Sequence, residues 1–457
     1  MMILNRILKG ISENVIDRFI NIIVKFIEPI LFIKLATIDI YGAWLVIFSL
    51  PAYIMISDLG FSTVGQNQIN MNVKVNRFNL AQKNFLNTLN LSIILNIIFS
   101  FIFFFILKKL FDVGFLKLEN VESNEFYSIA ILLIIYTFIH QLNGLFVSLY
   151  AAHNKYYFKI RLGYLSKILE TFLIFYCLFK DYDFKTILLY FVISKSLFFI
   201  FIFIDTTKSY NWVKFEFKLE KNYIEKNVGH ALSYLLFPIT NALKYQSTNL
   251  IINSILGPKY VALLSIYLTL ARIIVNLTSI TDGIIKIELA KLWVSKQLDN
   301  LKKIFIFNIQ IALFFSVIII VLLAFFNQLI FYFWIGENFN VDQKLFLILL
   351  FSTLFQALFH SSVTLLTSTN NFKKITIYNL FNSVIFILCL YIFISIKTNL
   401  LIVAVLFLIS DLIIFYNALD FSSKMINDNL YNNFKKILSF NNFRKSVLVI
   451  IRKYGKN

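Results

Sequence analysis

Six basic side chains fall inside long apolar runs of this sequence: Arg18, Lys25, Lys167, Lys195, Lys244 and Arg272. A charge at the centre of a bilayer costs at least about 2.5–3.5 kcal/mol on insertion scales, so such groups face protein or water. Asn14, Arg18, Asn21, Lys25 and Glu28 follow one another at spacings of 4, 3, 4 and 3, which is one face of a helix. Ser233, Asn241, Lys244 and Thr248 form a similar stripe, interrupted by Phe237, and Arg272, Asn276, Ser279, Asp282 and Lys286 form a third. These stripes suit the wall of a water-filled cavity. They also suit structural glue, with Lys25 pairing to Glu28 and hydroxyls bonding across helices. The cavity candidates are Lys25, Glu28, Arg18, Lys244, Arg272 and Lys195. Lys and Arg recognise phosphate, whereas a path for organic cations calls for unpaired carboxylates at its centre. Acidic groups in or beside the runs include Asp17, Glu28, Glu170 and Asp411, with Asp58 and Asp282 at the borders. The interior therefore leans basic.

Other polar positions suggest coupling or gating: Asp58, Asp282, Glu170, Asp411 and His360. Lys167 and Glu170 are three apart and suited to pair with each other. Lys195 has no acidic neighbour on its own run, which points to a cavity or an interhelical pair, and Asp411 is similarly isolated. His140 and His360 sit in matching halves and suit either a proton relay or a hydrogen-bonded interface. Asp58 and Asp282, near helix ends, suit an orienting role for loop lysines.

These residues must be positioned by membrane helices. Of 457 residues 59% are hydrophobic and 15% charged, against about 25% charged in soluble domains. With 53 Phe, that much apolar surface cannot face water, which excludes soluble, disordered and disulfide-stapled classes. Cys177 and Cys389 both lie in apolar runs, so no disulfide, zinc site or Cys nucleophile is expected. A net charge of +19 would suggest nucleic acid in a soluble protein; here it reads as basic loops, with no nucleic-acid partner. Twelve stretches can span roughly 30 Å of hydrocarbon: 12–33, 40–58, 85–107, 126–151, 162–179, 186–204, 229–256, 260–283, 304–335, 345–370, 375–396 and 399–419. The first run, broken by Asp17, Arg18, Lys25 and Glu28, does not read as a cleavable leader. No Walker, dinucleotide, HExxH or GxSxG motif occurs, so neither an enzyme nor a cofactor is expected.

Twelve spans place both termini on one side. The connections on that side carry 28 Lys and Arg, those opposite carry 9, and the side rich in positive charge is cytoplasmic. A shift of 219 lays Tyr41, Ala43, Leu45, Ile47 and Ala52 on Tyr260, Ala262, Leu264, Ile266 and Ala271, and Lys25 on Lys244. A shift of 216 lays Val147, Leu149 and Asn154 on Val363, Leu365 and Asn370. The expectation is an all-α integral membrane protein of about twelve transmembrane helices, in two parallel-related six-helix lobes around a central cavity. The lobes would be 1–205 and 229–420, joined by a cytoplasmic linker at 206–228 and followed by a basic amphipathic tail at 421–457. That tail, with 61–84 and 284–303, reads as an interfacial segment on anionic membrane lipid.

The stretches YGAWLVIFSLPAYIMISDLGF (41–61), LYAAHNKYYF (149–158), ILGPKYVALLSIY (255–267) and FYFWIGENF (331–339) resemble polysaccharide flippases of the Wzx type. These belong to the multidrug/oligosaccharidyl-lipid/polysaccharide exporter superfamily, and the resemblance covers essentially the whole chain. It implies a flippase in the bacterial inner membrane that moves an undecaprenyl-pyrophosphate-linked oligosaccharide (O-antigen, capsule or a similar repeat unit) to the outer leaflet. It also implies basic residues lining a cavity, here Lys25, Lys244 and Arg272, and a place among other polysaccharide-assembly proteins. The alternatives are a drug/cation antiporter of the same superfamily and, further off, a polysaccharide polymerase or ligase, which the short outside loops disfavour.

The charge asymmetry sets a topology that can be probed directly. On a background lacking Cys177 and Cys389, cysteines at 155, 296 and 373 should resist labelling from outside, and those at 117 and 259 should react. Labelling at 155 but not at 117 would invert the assignment.

Overall fold

Hydrocarbon offers a peptide group no hydrogen-bond partner, so a chain this apolar satisfies its backbone within helices. A computed structural model describes residues 2–118, 121–337 and 339–439; these form helices and short connections, with no strand among them. By internal contacts the chain divides into two units, Met1–Leu263 and Leu264–Asn457.

The first unit contains α1 (Met2–Leu35), α2 (Ile38–Ser49), α3 (Pro51–Ile54), α4 (Phe61–Lys74), α5 (Phe78–Asp112), α6 (Ser123–Ala152), α7 (Tyr156–Phe179), α8 (Phe184–Ser209), α9 (Lys221–Asn241) and α10 (Ser247–Leu256). It also holds the start of α11 (Pro258–Ala271). The run α2–α3 continues through a tight turn, Met55–Asp58, and is the most buried span of this unit. Trp44, Val46 and Ile47 on it are almost wholly enclosed. The second unit contains the rest of α11, then α12 (Ile273–Val294), α13 (Leu298–Trp334), α14 (Gln343–Ser368), α15 (Lys373–Ile396), α16 (Leu400–Met425) and α17 (Leu430–Leu438). Here α14 is the central helix, packed by α12, α13 and α16.

Nine of the described helices are long and apolar enough to cross a membrane, and α11 with α12 make a tenth that bends by 43°. The two other stretches expected to span, 12–33 and 229–256, lie in α1 and in α9–α10. Their polar stripes account for their absence from the apolar set. The outward faces are apolar where lipid would lie: Ile97, Phe101, Ile102 and Phe105 on α5 are all at least half exposed. On α17, Tyr431, Phe434 and Leu438 are exposed while Ile437 is buried. The rest of the expected tail, beyond residue 439, lies outside the described residues.

Two glycines explain why separate sequence motifs belong together. A Cβ on Gly42 would sit 1.9 Å from the Pro258 carbonyl oxygen, so the stretch 41–61 touches 255–267 backbone to backbone. Gly60 has φ +81°, a left-handed conformation that glycine adopts without steric cost, and a Cβ there would meet the Ala231 carbonyl oxygen at 2.2 Å. Tyr53 and Ser247 hydroxyls bond at 2.7 Å, and Gln68 Nε2 donates to Asn227 Oδ1 at 2.6 Å, so α3 and α4 are latched to α9–α10.

Gly42→Ala should therefore collapse membrane abundance and lower the melting temperature in detergent. Gly144→Ala, in open space on α6, should be neutral or stabilise by about 0.5–1 kcal/mol. Equal behaviour of the two variants would refute the close approach at Gly42.

Candidate functional site

Helix α7 presents two polar stripes. Arg161, Tyr164 and Lys167, three apart, turn toward α1. The Arg161 guanidinium grips Glu13, whose other oxygen accepts the Tyr164 hydroxyl at 2.9 Å. Lys167 Nζ lies 3.0 Å from Asp17 Oδ1, and Asn21 Nδ2 donates to Asp17 Oδ2 at 3.0 Å. Ser166 and Glu170, four apart, turn toward α8. Lys195 Nζ, on a side chain almost fully buried, sits 2.7 Å from Glu170 Oε1 and donates to Ser166 Oγ at 2.7 Å. Glu170 Oε1 also accepts the Tyr136 hydroxyl at 3.2 Å, and the Lys195 ammonium lies 5.6 Å from the Tyr136 ring centre. His140 stacks on Tyr136 at 6.2 Å.

This corrects one expectation and decides between the alternatives of another. Lys167 and Glu170 do not pair with each other, because each points to a different neighbouring helix. Of the two outcomes expected for Lys195, a cavity or an interhelical pair, the structure has the pair, with Glu170 supplied by α7. Glu13, Arg161, Tyr164, Tyr136 and Ser166 were not singled out from the sequence; the three-residue spacing of Arg161, Tyr164 and Lys167 was the available signal.

On α1, Lys25 is exposed and Arg18 half-buried. Glu28 Oε1 accepts the indole N–H of Trp44 at 2.7 Å, so this carboxylate ties α1 to α2, with Lys25 within electrostatic reach of it. Lys244 has different surroundings from Lys25. It is 3% exposed, at the centre of a π-helical turn, Ala242–Gln246. Pro238 lies six residues upstream, inside α9. The Lys244 carbonyl accepts the Thr248 hydroxyl at 2.6 Å. Such π turns occur often at functional positions. Asp58 caps a turn: its oxygens accept the N–H groups of Gly60 at 3.0 Å and Ser62 at 3.3 Å.

In the second unit Arg272 stands at the break between α11 and α12, where the pair bends by 43°. Asp282 Oδ1 accepts Asn308 Nδ2 and Ser361 Oγ, both at 2.8 Å, and so joins α12, α13 and α14. Asp411 Oδ2 accepts Ser352 Oγ at 2.6 Å, joining α16 to α14. His360 is exposed on α14 beside Phe359. The six acidic groups singled out from the sequence thus all accept hydrogen bonds from named protein groups.

No protein-family model and no curated protein matches this chain in sequence. Solved structures do share its fold. A multidrug resistance MATE family transporter of the MOP superfamily, in an inward-facing conformation, aligns with TM-score 0.71 over 90% of this chain and 94% of its own, at 14% identity. An outward-facing multidrug resistance MATE family transporter aligns with TM-score 0.63 over 92% and 95%, at 12% identity. A MOP superfamily transporter from Pyrococcus furiosus, described as having a binding pocket of reverse polarity that suggests a different function, aligns with TM-score 0.64 over 92% and 95%, at 13% identity. The fold is that of MOP-superfamily transporters.

Breaking a buried ion pair leaves an uncompensated charge and costs about 3–5 kcal/mol, whereas replacing both partners by apolar groups is often neutral. Lys195→Met and Glu170→Met should each lower melting temperature and membrane abundance, and the double variant should recover most of both. Losses that simply add in the double variant would show that the two groups act separately.

Proposed function

We propose that this protein is a flippase for an undecaprenyl-pyrophosphate-linked oligosaccharide, carrying its headgroup from the cytoplasmic to the outer leaflet of the bacterial inner membrane, with both termini cytoplasmic. The observation that supports this most is the state of the acidic groups. Asp17, Glu28 and Glu170 serve neighbouring helices, Asp58 caps a turn, and Asp282 and Asp411 serve α14. An organic cation would need such a carboxylate for itself. Lysine and arginine, by contrast, complement phosphate.

The transport problem suits this fold. A sugar headgroup with two phosphates loses its hydrogen bonds if it enters hydrocarbon bare. Relatives of the same fold are known in inward-facing and outward-facing conformations, which supports alternating access. The polyprenyl tail stays in lipid throughout. The Pyrococcus furiosus transporter supports the idea that pocket polarity can reverse within this fold. The multidrug relatives favour a second reading, a drug/cation antiporter. Proteins of polysaccharide assembly would be the functional neighbours of a flippase.

Deletion of the gene should accumulate single lipid-linked repeat units on the cytoplasmic face and strip the surface glycan, with both restored by a plasmid copy. Drug susceptibility should stay unchanged. Sensitisation to cationic drugs with normal surface glycan would replace this reading by the antiporter.

A further inference from the structure

The first unit contains an open cavity of about 510 Å³, lined mostly by polar residue types, that none of the groups above accounts for; α1, α4 and the α6–α7 connection wall it. The volume falls in the range of small-molecule sites, about 300–1,000 Å³. Amides come from three elements: Asn14 on α1, Asn67 and Asn70 on α4, and Asn154 in the turn after α6. Asn70 Oδ1 is buried with no hydrogen-bond partner, so this wall retains unused accepting capacity. Tyr156 and Tyr157 add flat rings that carry hydroxyls.

The cavity is also basic. Lys74 and Lys159 line it, and neither forms an ion pair among the described residues. Lys9 lies 5.9 Å from the centre of the Tyr157 ring. The carboxylates on the adjoining turns of α1 are occupied elsewhere: Glu13 holds Arg161 and Asp17 holds Lys167. An anion entering here therefore meets lysines whose charge no local carboxylate cancels, with amides around them to bond hydroxyls. The stretch 149–158, whose sequence stood out without a function, supplies Ala151, Asn154, Tyr156 and Tyr157 to this wall.

We propose that this cavity receives the phosphorylated sugar headgroup of a lipid-linked glycan, with Lys74 and Lys159 on phosphate and the Asn67–Asn70 wall on sugar hydroxyls. It opens among the connections 59–84 and 152–161, which the charge pattern places in the cytoplasm, so it serves as the receiving site before transport. The assignment rests on the flippase reading and adds where the headgroup is first held.

The test uses full-length protein in phosphatidylethanolamine nanodiscs, with undecaprenyl-pyrophosphate-linked N-acetylglucosamine as probe. Lys74→Ala/Lys159→Ala should weaken binding by about tenfold or more, as loss of charge-assisted hydrogen bonds implies. Lys159→Arg should retain most of it. Asn67→Ala/Asn70→Ala should weaken the glycolipid but leave undecaprenyl pyrophosphate without sugar unchanged. Unaltered melting temperatures establish that the variants fold, and a variant that fails this check is replaced by Lys74→Gln/Lys159→Gln. Wild-type affinity in both folded double variants would overturn the cavity assignment and leave the flippase reading standing. Absence of binding by the wild type would overturn both. Displacement by UDP-N-acetylglucosamine at equal concentration would move the source from lipid to a soluble donor and overturn the lipid-linked assignment. Displacement by phosphatidylglycerol would overturn sugar recognition.

Discussion

A charge inside hydrocarbon must meet an opposite charge, a strong hydrogen-bond partner or water, and α7 shows how this protein meets that demand. Within the span Lys167 finds Asp17 on α1 and Glu170 finds Lys195 on α8, while just before it Arg161 finds Glu13 on α1. One helix thus holds two others by ion pairs, of which Lys195–Glu170 is enclosed on both sides. The attraction between such groups offsets their desolvation only with good geometry and additional hydrogen bonds. Tyr164, Tyr136, Ser166 and Asn21 supply those bonds. The polar residues on α1 are therefore in large part the counter-surface of α7.

Backbone contact sets the second constraint. Helices in a membrane gain little from the hydrophobic effect against one another, so close van der Waals approach matters more. Gly42 against the Pro258 carbonyl and Gly60 against the Ala231 carbonyl are such approaches, and each excludes even a methyl group. The hydroxyl and amide pairs Tyr53–Ser247 and Gln68–Asn227 then fix the register of α3 and α4 against α9–α10. The π turn between α9 and α10 buries Lys244 at the edge of that contact, where the Tyr53 hydroxyl also reaches the Ala242 carbonyl at 3.4 Å.

These two constraints shape the functional reading. Carboxylates bound to structure are unsuited to attracting a cationic cargo, whereas the lysines around the α1–α4–α7 cavity are not matched by local acid. Polarity here is divided between groups that hold helices and groups that face open space. Charge counting alone treats the two alike. The second unit follows the same division, with Asp282 and Asp411 drawn into bonds to α13 and α14.

The sequence by itself determined the helical membrane class and the apolar runs, because hydropathy and the 3.6-residue period are local properties. It also marked the polar stripe Asn14, Arg18, Asn21, Lys25 and Glu28 as unable to face lipid. It did not determine who pairs with whom. Lys167 and Glu170 look like partners at a spacing of three, yet a rotation of some 60° about the axis of α7 sends them to different helices. Lys195 looked isolated because its partner lies 25 residues earlier on another helix. Lys25 and Lys244 match under a shift of 219, but one is exposed on a continuous helix and the other buried in a π turn after Pro238. The lining of the α1–α4–α7 cavity was hidden for the same reason, being drawn from positions 10–14, 63–74 and 151–159. Pairing and enclosure depend on which helix faces are brought together, and only the tertiary structure decides that.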